Sequence, residues 1–101
     1  FNIRARDINY PGEPDKIGFF NIPAFCKIKI YTERGDLIET LEHTDGSGDE
    51  YWNSLTSSRQ IVASGVYIAY FEVTRDYVDS SSGKMLYKKG DNTFRKFIII
   101  R

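Results

Sequence analysis

The sequence predicts an all-β fold, an antiparallel β-sandwich of about seven strands. Three observations predict it. Cys26, Ile28 and Ile30 alternate strictly with Lys27, Lys29 and Tyr31, the period of a half-buried strand. The run Gly65 to Val73 is apolar at both parities, which suits a strand in the middle of a sheet. Turn residues recur roughly every ten positions, and no stretch carries helical periodicity.

Taken in order, Phe1 to Ile8 forms a short first strand. Tyr10-Pro11-Gly12-Glu13-Pro14-Asp15 breaks regular structure, because proline fixes φ and Pro-Gly is turn chemistry. Lys16 to Ile22 is a second strand, stopped by Pro23, and Phe25 to Tyr31 is the third. Glu33-Arg34-Gly35-Asp36 supplies a hairpin turn in which Gly35 takes positive φ. Leu37 to Thr44 returns as a fourth strand of imperfect phase, since Ile38 and Leu41 share a face only across a bulge. Asp45 to Asp49 is a loop, and Glu50 to Asn53 a brief fifth strand carrying the single tryptophan, Trp52. A polar connection leads through Gln60–Gly65 into Val66 to Thr74. From Asp76 to Asn92 the chain is polar and interrupted by glycine turns, which predicts a protruding hairpin with Met85-Leu86-Tyr87 in one arm and little contribution to the core. Thr93 to Arg101 is the last strand. Strands of this number and spacing suit an immunoglobulin-like sandwich. Its expected core is Ile17, Phe19, Cys26, Ile28, Ile30, Leu41, Trp52, Tyr67, Ala69, Phe71, Phe97 and Ile99, with Tyr67 placed to form a tyrosine corner.

A chain of 101 residues with 41% hydrophobic composition is one domain with a core of its own. Because it starts at Phe1, it reads as a fragment of, or a product processed from, a longer protein. The 14 basic and 14 acidic residues cancel, which argues against a general nucleic-acid binder and against a polybasic membrane anchor. The single cysteine, Cys26, excludes an intrachain disulfide and a cysteine-based zinc site. No apolar run approaches the roughly 20 residues of a membrane span.

Little in the sequence points to chemistry. His43 is the only histidine, and a triad with Ser47 and Asp45 lacks the strained elbow that presents a nucleophile. A solvated histidine at a strand end is the simpler reading. Asp45, Ser47 and Asp49 offer alternating oxygen ligands suited to calcium, though not in the order of an EF-hand loop. A flexible acidic turn explains them as well. Cys26 alternates in phase with Ile28 and Ile30 and reads as a buried hydrophobe. Tyr10, Tyr31, Tyr70, Tyr77 and Tyr87 include several that should face outward, and such a row can stack on sugar rings or simply pack on a sheet surface. Arg34-Gly35-Asp36 matches an adhesion tripeptide by letter, but the hairpin turn already accounts for Gly35-Asp36.

The order of motifs resembles a known family. Lys16-Ile17-Gly18-Phe19-Phe20-Asn21-Ile22-Pro23, then Ile28 to Asp36, Trp52, Ala63-Ser64-Gly65-Val66-Tyr67 and Lys96-Phe97-Ile98-Ile99 together look like the immunoglobulin-like domain of the flagellar hook-capping (FlgD-like) family. Such domains also occur at the C-terminal end of large secreted bacterial proteins. The chain departs from that pattern where Asn53-Ser54-Leu55 replaces a glycine-containing turn after Trp52, and in the length of Asp76 to Asn92.

The resemblance implies a non-catalytic structural or interaction module of an exported bacterial protein, located extracellularly or at the cell surface. Related C-terminal domains act as export signals for type IX secretion, so a secretion or surface-attachment role is one expectation. The expected partners are other domains of the parent protein or neighbouring subunits, and no cofactor is expected. One alternative is a subunit of an extracellular filament or surface layer that assembles through edge strands. In that case Phe1 to Ile8, followed by its proline-rich hinge, pairs within its own domain or exchanges with a neighbour. Another alternative is a carbohydrate-binding module using the exposed tyrosines.

Overall fold

Period-two patterning yields nine strands among the described residues: β1 (Arg4–Tyr10), β2 (Glu13–Phe20), β3 (Cys26–Thr32), β4 (Leu37–His43), β5 (Asp49–Trp52), β6 (Gly65–Val73), β7 (Tyr77–Val78), β8 (Met85–Tyr87) and β9 (Asn92–Ile99). The computed structural model describes residues 4–10, 13–78 and 81–99, with the backbone alone for 4–10 and 13–16. The start of the expected first strand, Phe1 to Ile3, and the end of the last, Ile100 and Arg101, lie outside the described residues.

Seven strands form two antiparallel sheets, ordered β1-β2-β5 and β4-β3-β6-β9. The result is an immunoglobulin-like sandwich. In the constant-type arrangement the fourth strand joins the sheet of the first, second and fifth. Here β4 pairs with β3 instead. The short ribbon β7-β8 stands apart from both sheets.

Three boundaries differ from the sequence expectation, each for a local reason. The first hairpin does not break at Tyr10 to Asp15: β1 and β2 stay paired as far as Tyr10 opposite Glu13, past a bulge between Ile8 and Tyr10. Pro14 is tolerated because β5 pairs β2 only at Ile17 to Phe20, leaving β2 with one neighbour where the proline lacks its donor. β2 ends at Phe20 rather than Ile22, because Asn21 turns into the left-handed region at φ 59°. The phase conflict in β4 is resolved by a bulge at Ile38: Ile30 lies opposite Glu39, while Tyr31 lies opposite Leu37. Ile38 and Leu41 then both pack, partly buried, on the core.

The core lies between the sheets. Ile17, Phe19 and Trp52 come from one sheet, and Cys26, Ile28, Ile30, Tyr67, Ala69, Phe71, Phe97 and Ile99 from the other, all buried. Ile22 and Val62 join them from loops. Phe19 meets Phe71 and Phe97 edge-on at centroid distances of 5.6 Å, and Trp52 meets Phe97 at 6.3 Å. These are the offset geometries that the ring quadrupole favours. The polar tips of the large aromatics are satisfied by backbone. Trp52 Nε1 donates to the Leu55 carbonyl at 2.9 Å. Tyr67 Oη donates to the Ala63 carbonyl at 2.7 Å, forming the tyrosine corner.

Candidate functional site

His43 ends β4 on the inward face, opposite Cys26, and is fully buried rather than solvated. The strand-end reading is therefore corrected. The register of β4 turns His43 inward, and Glu50, opposite Phe19 in the other sheet, carries its carboxylate across to satisfy the buried imidazole. His43 Nδ1 lies 3.0 Å from Glu50 Oε1, and Nε2 lies 2.7 Å from the Ser47 carbonyl. Asp45 Oδ1 is 3.3 Å from Nε2. A carbonyl can only accept, so Nε2 carries its hydrogen, and the other nitrogen also faces an acceptor. The doubly protonated ring satisfies both. Burial pulls the His43 pKa down, but the Ser47 carbonyl, the Glu50 carboxylate and the Asp45 charge together hold it above the ordinary histidine value.

This arrangement does not assemble the Ser47–His43–Asp45 triad. Ser47 Oγ donates to Asp45 Oδ1 at 2.7 Å, and the imidazole meets the Ser47 carbonyl rather than its hydroxyl. The Ser47 N–H also donates to Asp45 Oδ1, at 2.9 Å, and the hydroxyl and N–H bonds together hold the Asp45 carboxyl below its usual range. Of the side chains proposed for calcium, Asp45 and Ser47 bond to each other, and Ser47 Oγ also donates to the Asp49 backbone carbonyl. Asp45 Oδ1 is taken by Ser47, and among the described residues no three acidic, histidine or cysteine side chains converge as metal ligands.

Cys26 is buried in β3, and burial beside Glu50 and Glu42 pushes its thiol up to about 12. It is the neutral form, not a thiolate nucleophile. Arg34, Gly35 and Asp36 are exposed in the β3–β4 turn. There Gly35 has φ 95°, and Asp36 is tied back to Thr32 through its N–H.

The tyrosines do not form one row. Tyr77 and Tyr87 pack on each other at 6.3 Å, and Tyr77 also packs on Phe25. They anchor the base of the β7-β8 ribbon, where the Arg75 guanidinium lies 4.0 Å from the centre of the Phe25 ring. Tyr31 and Tyr70 lie half-buried on the outer face of the four-stranded sheet. The side chain of Tyr10 falls outside what the structure describes.

That outer face carries three cross-strand rows. The strand registers place Leu37, Tyr31, Ile68 and Lys96 in one row across β4, β3, β6 and β9. Thr40, Lys29, Tyr70 and Phe94 form the next row, and Glu42, Lys27, Glu72 and Asn92 the third. Val66 and Ile98 extend the apolar end. No described strand lies over these rows, and Phe94 and Ile98 are 58% and 61% exposed. Apolar side chains at Leu37, Tyr31, Ile68, Tyr70 and Phe94 thus lie beside one another across the sheet, with Lys29 and Lys96 among them and a charged row below. The apolar residues at both parities of β6 announce half of this face. The contribution of β9 is hidden in Phe97-Ile98-Ile99, where neighbouring apolar residues point to opposite faces.

One sheet edge is partly covered. At the β4 edge, the Ser57 N–H and hydroxyl both donate to the Ile38 carbonyl, at 2.9 and 3.2 Å, beside the bulge. Bulges and covering loops blunt an edge against strand addition. The described part of the first strand, β1, pairs with β2 of its own chain.

Comparison with known proteins places the fold. No model of a known protein family matches the chain, and no curated protein does. A solved structure of PorZ, described as an essential bacterial surface component of the type-IX secretion system of Porphyromonas gingivalis, is similar to it at TM-score 0.63 and 24% identity. The match covers 99% of this chain and 12% of that one, so the chain spans a small part of the PorZ length.

Proposed function

We propose that this chain is a non-catalytic interaction module of an exported bacterial protein, and that it works through the outer face of the β4-β3-β6-β9 sheet. The observation that carries the reading is that face: β6 is apolar on both sides, the inner side is spent on the core, and the outer side has no described cover. An uncovered apolar sheet face costs solvation unless something binds it. The likeness to a domain of a secretion-system surface component supports a place outside the cytoplasm. The resemblance of its motifs to the flagellar hook-capping (FlgD-like) family is in keeping with a secretion or surface-attachment role for the whole protein. The absence of a nucleophile–base pair around His43 supports contact rather than turnover as its mode of action.

Hydroxyl-radical footprinting tests this by comparing the chain in its native setting on cells with the purified chain. Tyr70 and Phe94 are expected to lose labelling several-fold on cells. Equal labelling in both states overturns the reading of the face, and recovery of the chain only from the cytosol overturns the exported location.

A further inference from the structure

The outer face carries both signs of charge, and this decides what fits it. Lys27, Lys29 and Lys96 interleave with Glu42 and Glu72, so neither a polyanionic nor a polycationic surface complements it. The whole chain has zero formal charge, so no long-range repulsion opposes contact between copies.

The geometry points to a second copy of this chain, docked face to face about a twofold axis that runs along the strands between β3 and β6. This rests on the reading of the face as the working surface. Such an axis keeps each row opposite itself and exchanges β3 with β6 and β4 with β9. Applied to the observed registers, it sets Lys27 of one copy over Glu72 of the other, twice per dimer. It sets Lys29 over the Tyr70 ring, a cation–π placement. It sets Tyr31 over Ile68, and Leu37 over the stem of Lys96, burying apolar surface. In the three rows, each group of the two central columns meets its complement, as an isologous interface requires. The stacking is the aligned mode of sheet packing. Within one copy, Lys27 holds Glu42 at 3.6 Å in a well-exposed pair, which gives way cheaply.

Charge exchange across the axis gives a decisive test by sedimentation equilibrium of the 101-residue chain. The wild type is expected to self-associate. Lys27→Glu sets carboxylate against carboxylate and Glu72→Lys sets amine against amine, so each weakens self-association by roughly tenfold or more. Mixing these two variants restores a dimer, because one supplies both carboxylates and the other both amines. Circular dichroism of each variant confirms that the fold is intact, and the rescue on mixing is something a misfolded variant cannot give. A wild type that stays monomeric to roughly millimolar concentration overturns the dimer. The footprint on cells would then still decide whether the face is used by something else. A dimer that survives both substitutions lies on another surface, such as a strand edge, and also overturns the proposal.

Discussion

At the scale of single residues, two buried side chains do different work. Trp52 is 1% exposed and packs edge-on against Phe97. Truncating a buried aromatic of this size costs about 3–5 kcal/mol, so Trp52→Ala is expected to lose a large share of a small domain's stability in urea unfolding. Its native fluorescence should be blue-shifted relative to free tryptophan. His43 acts through charge. Its folded pKa is raised above the unfolded value of about 6.5, so the folded state binds the proton more tightly. The stabilisation is therefore complete below about pH 6.5 and is lost as pH rises through the folded pKa. Melting temperatures measured from pH 6 to about pH 8.5 should fall for the wild type, and the slope should flatten in His43→Gln. A free thiol titrates at about 8.5, so Cys26, held at about 12 in the folded state, adds to the fall only at the top of that window, and the part that His43→Gln removes lies below it.

At the scale of elements, the excursion between β6 and β9 is the most separable part. β7 and β8 pair only with each other, and Val78, Met85 and Leu86 are about half exposed. The excursion leaves and returns at one place: Val73 N–H donates to the Asp91 carbonyl at 2.8 Å, and Gly90 N–H to the Val73 carbonyl at 2.9 Å. Tyr77 stands opposite Tyr87, which makes that pair the natural base of a shortened hairpin. Joining Tyr77 to Tyr87 through Asn-Gly is expected to leave the melting temperature within about 4–8 °C, the equivalent of about 1 kcal/mol in a domain of this size. A larger fall in differential scanning calorimetry would show that the ribbon supports the sandwich.

At the scale of the whole molecule, the legible parts were those governed by alternation. Ile28 and Ile30 against Lys27 and Lys29 specified β3 and its inner face, and the doubly apolar β6 specified a mid-sheet place, where it lies between β3 and β9. The phase conflict of Ile38 with Leu41 marked the bulge without its consequence for the edge, because Ser57, which hooks that edge, is 19 residues away. His43 shares its parity with Leu41, so alternation carried its inward place; what local pattern could not carry is Glu50, the partner brought across from the opposite sheet. The outer face was half legible, since its rows exist only once four registers are known. One buried atom gives the molecule a use of its own. Cys26 is the only thiol in the chain, fully shielded at the start of β3 between His43 and Val73. A thiol reagent reaches it only when β3 parts from its neighbours. The rate of its modification is therefore a built-in clock for the breathing of the sandwich, read without adding any label to the protein.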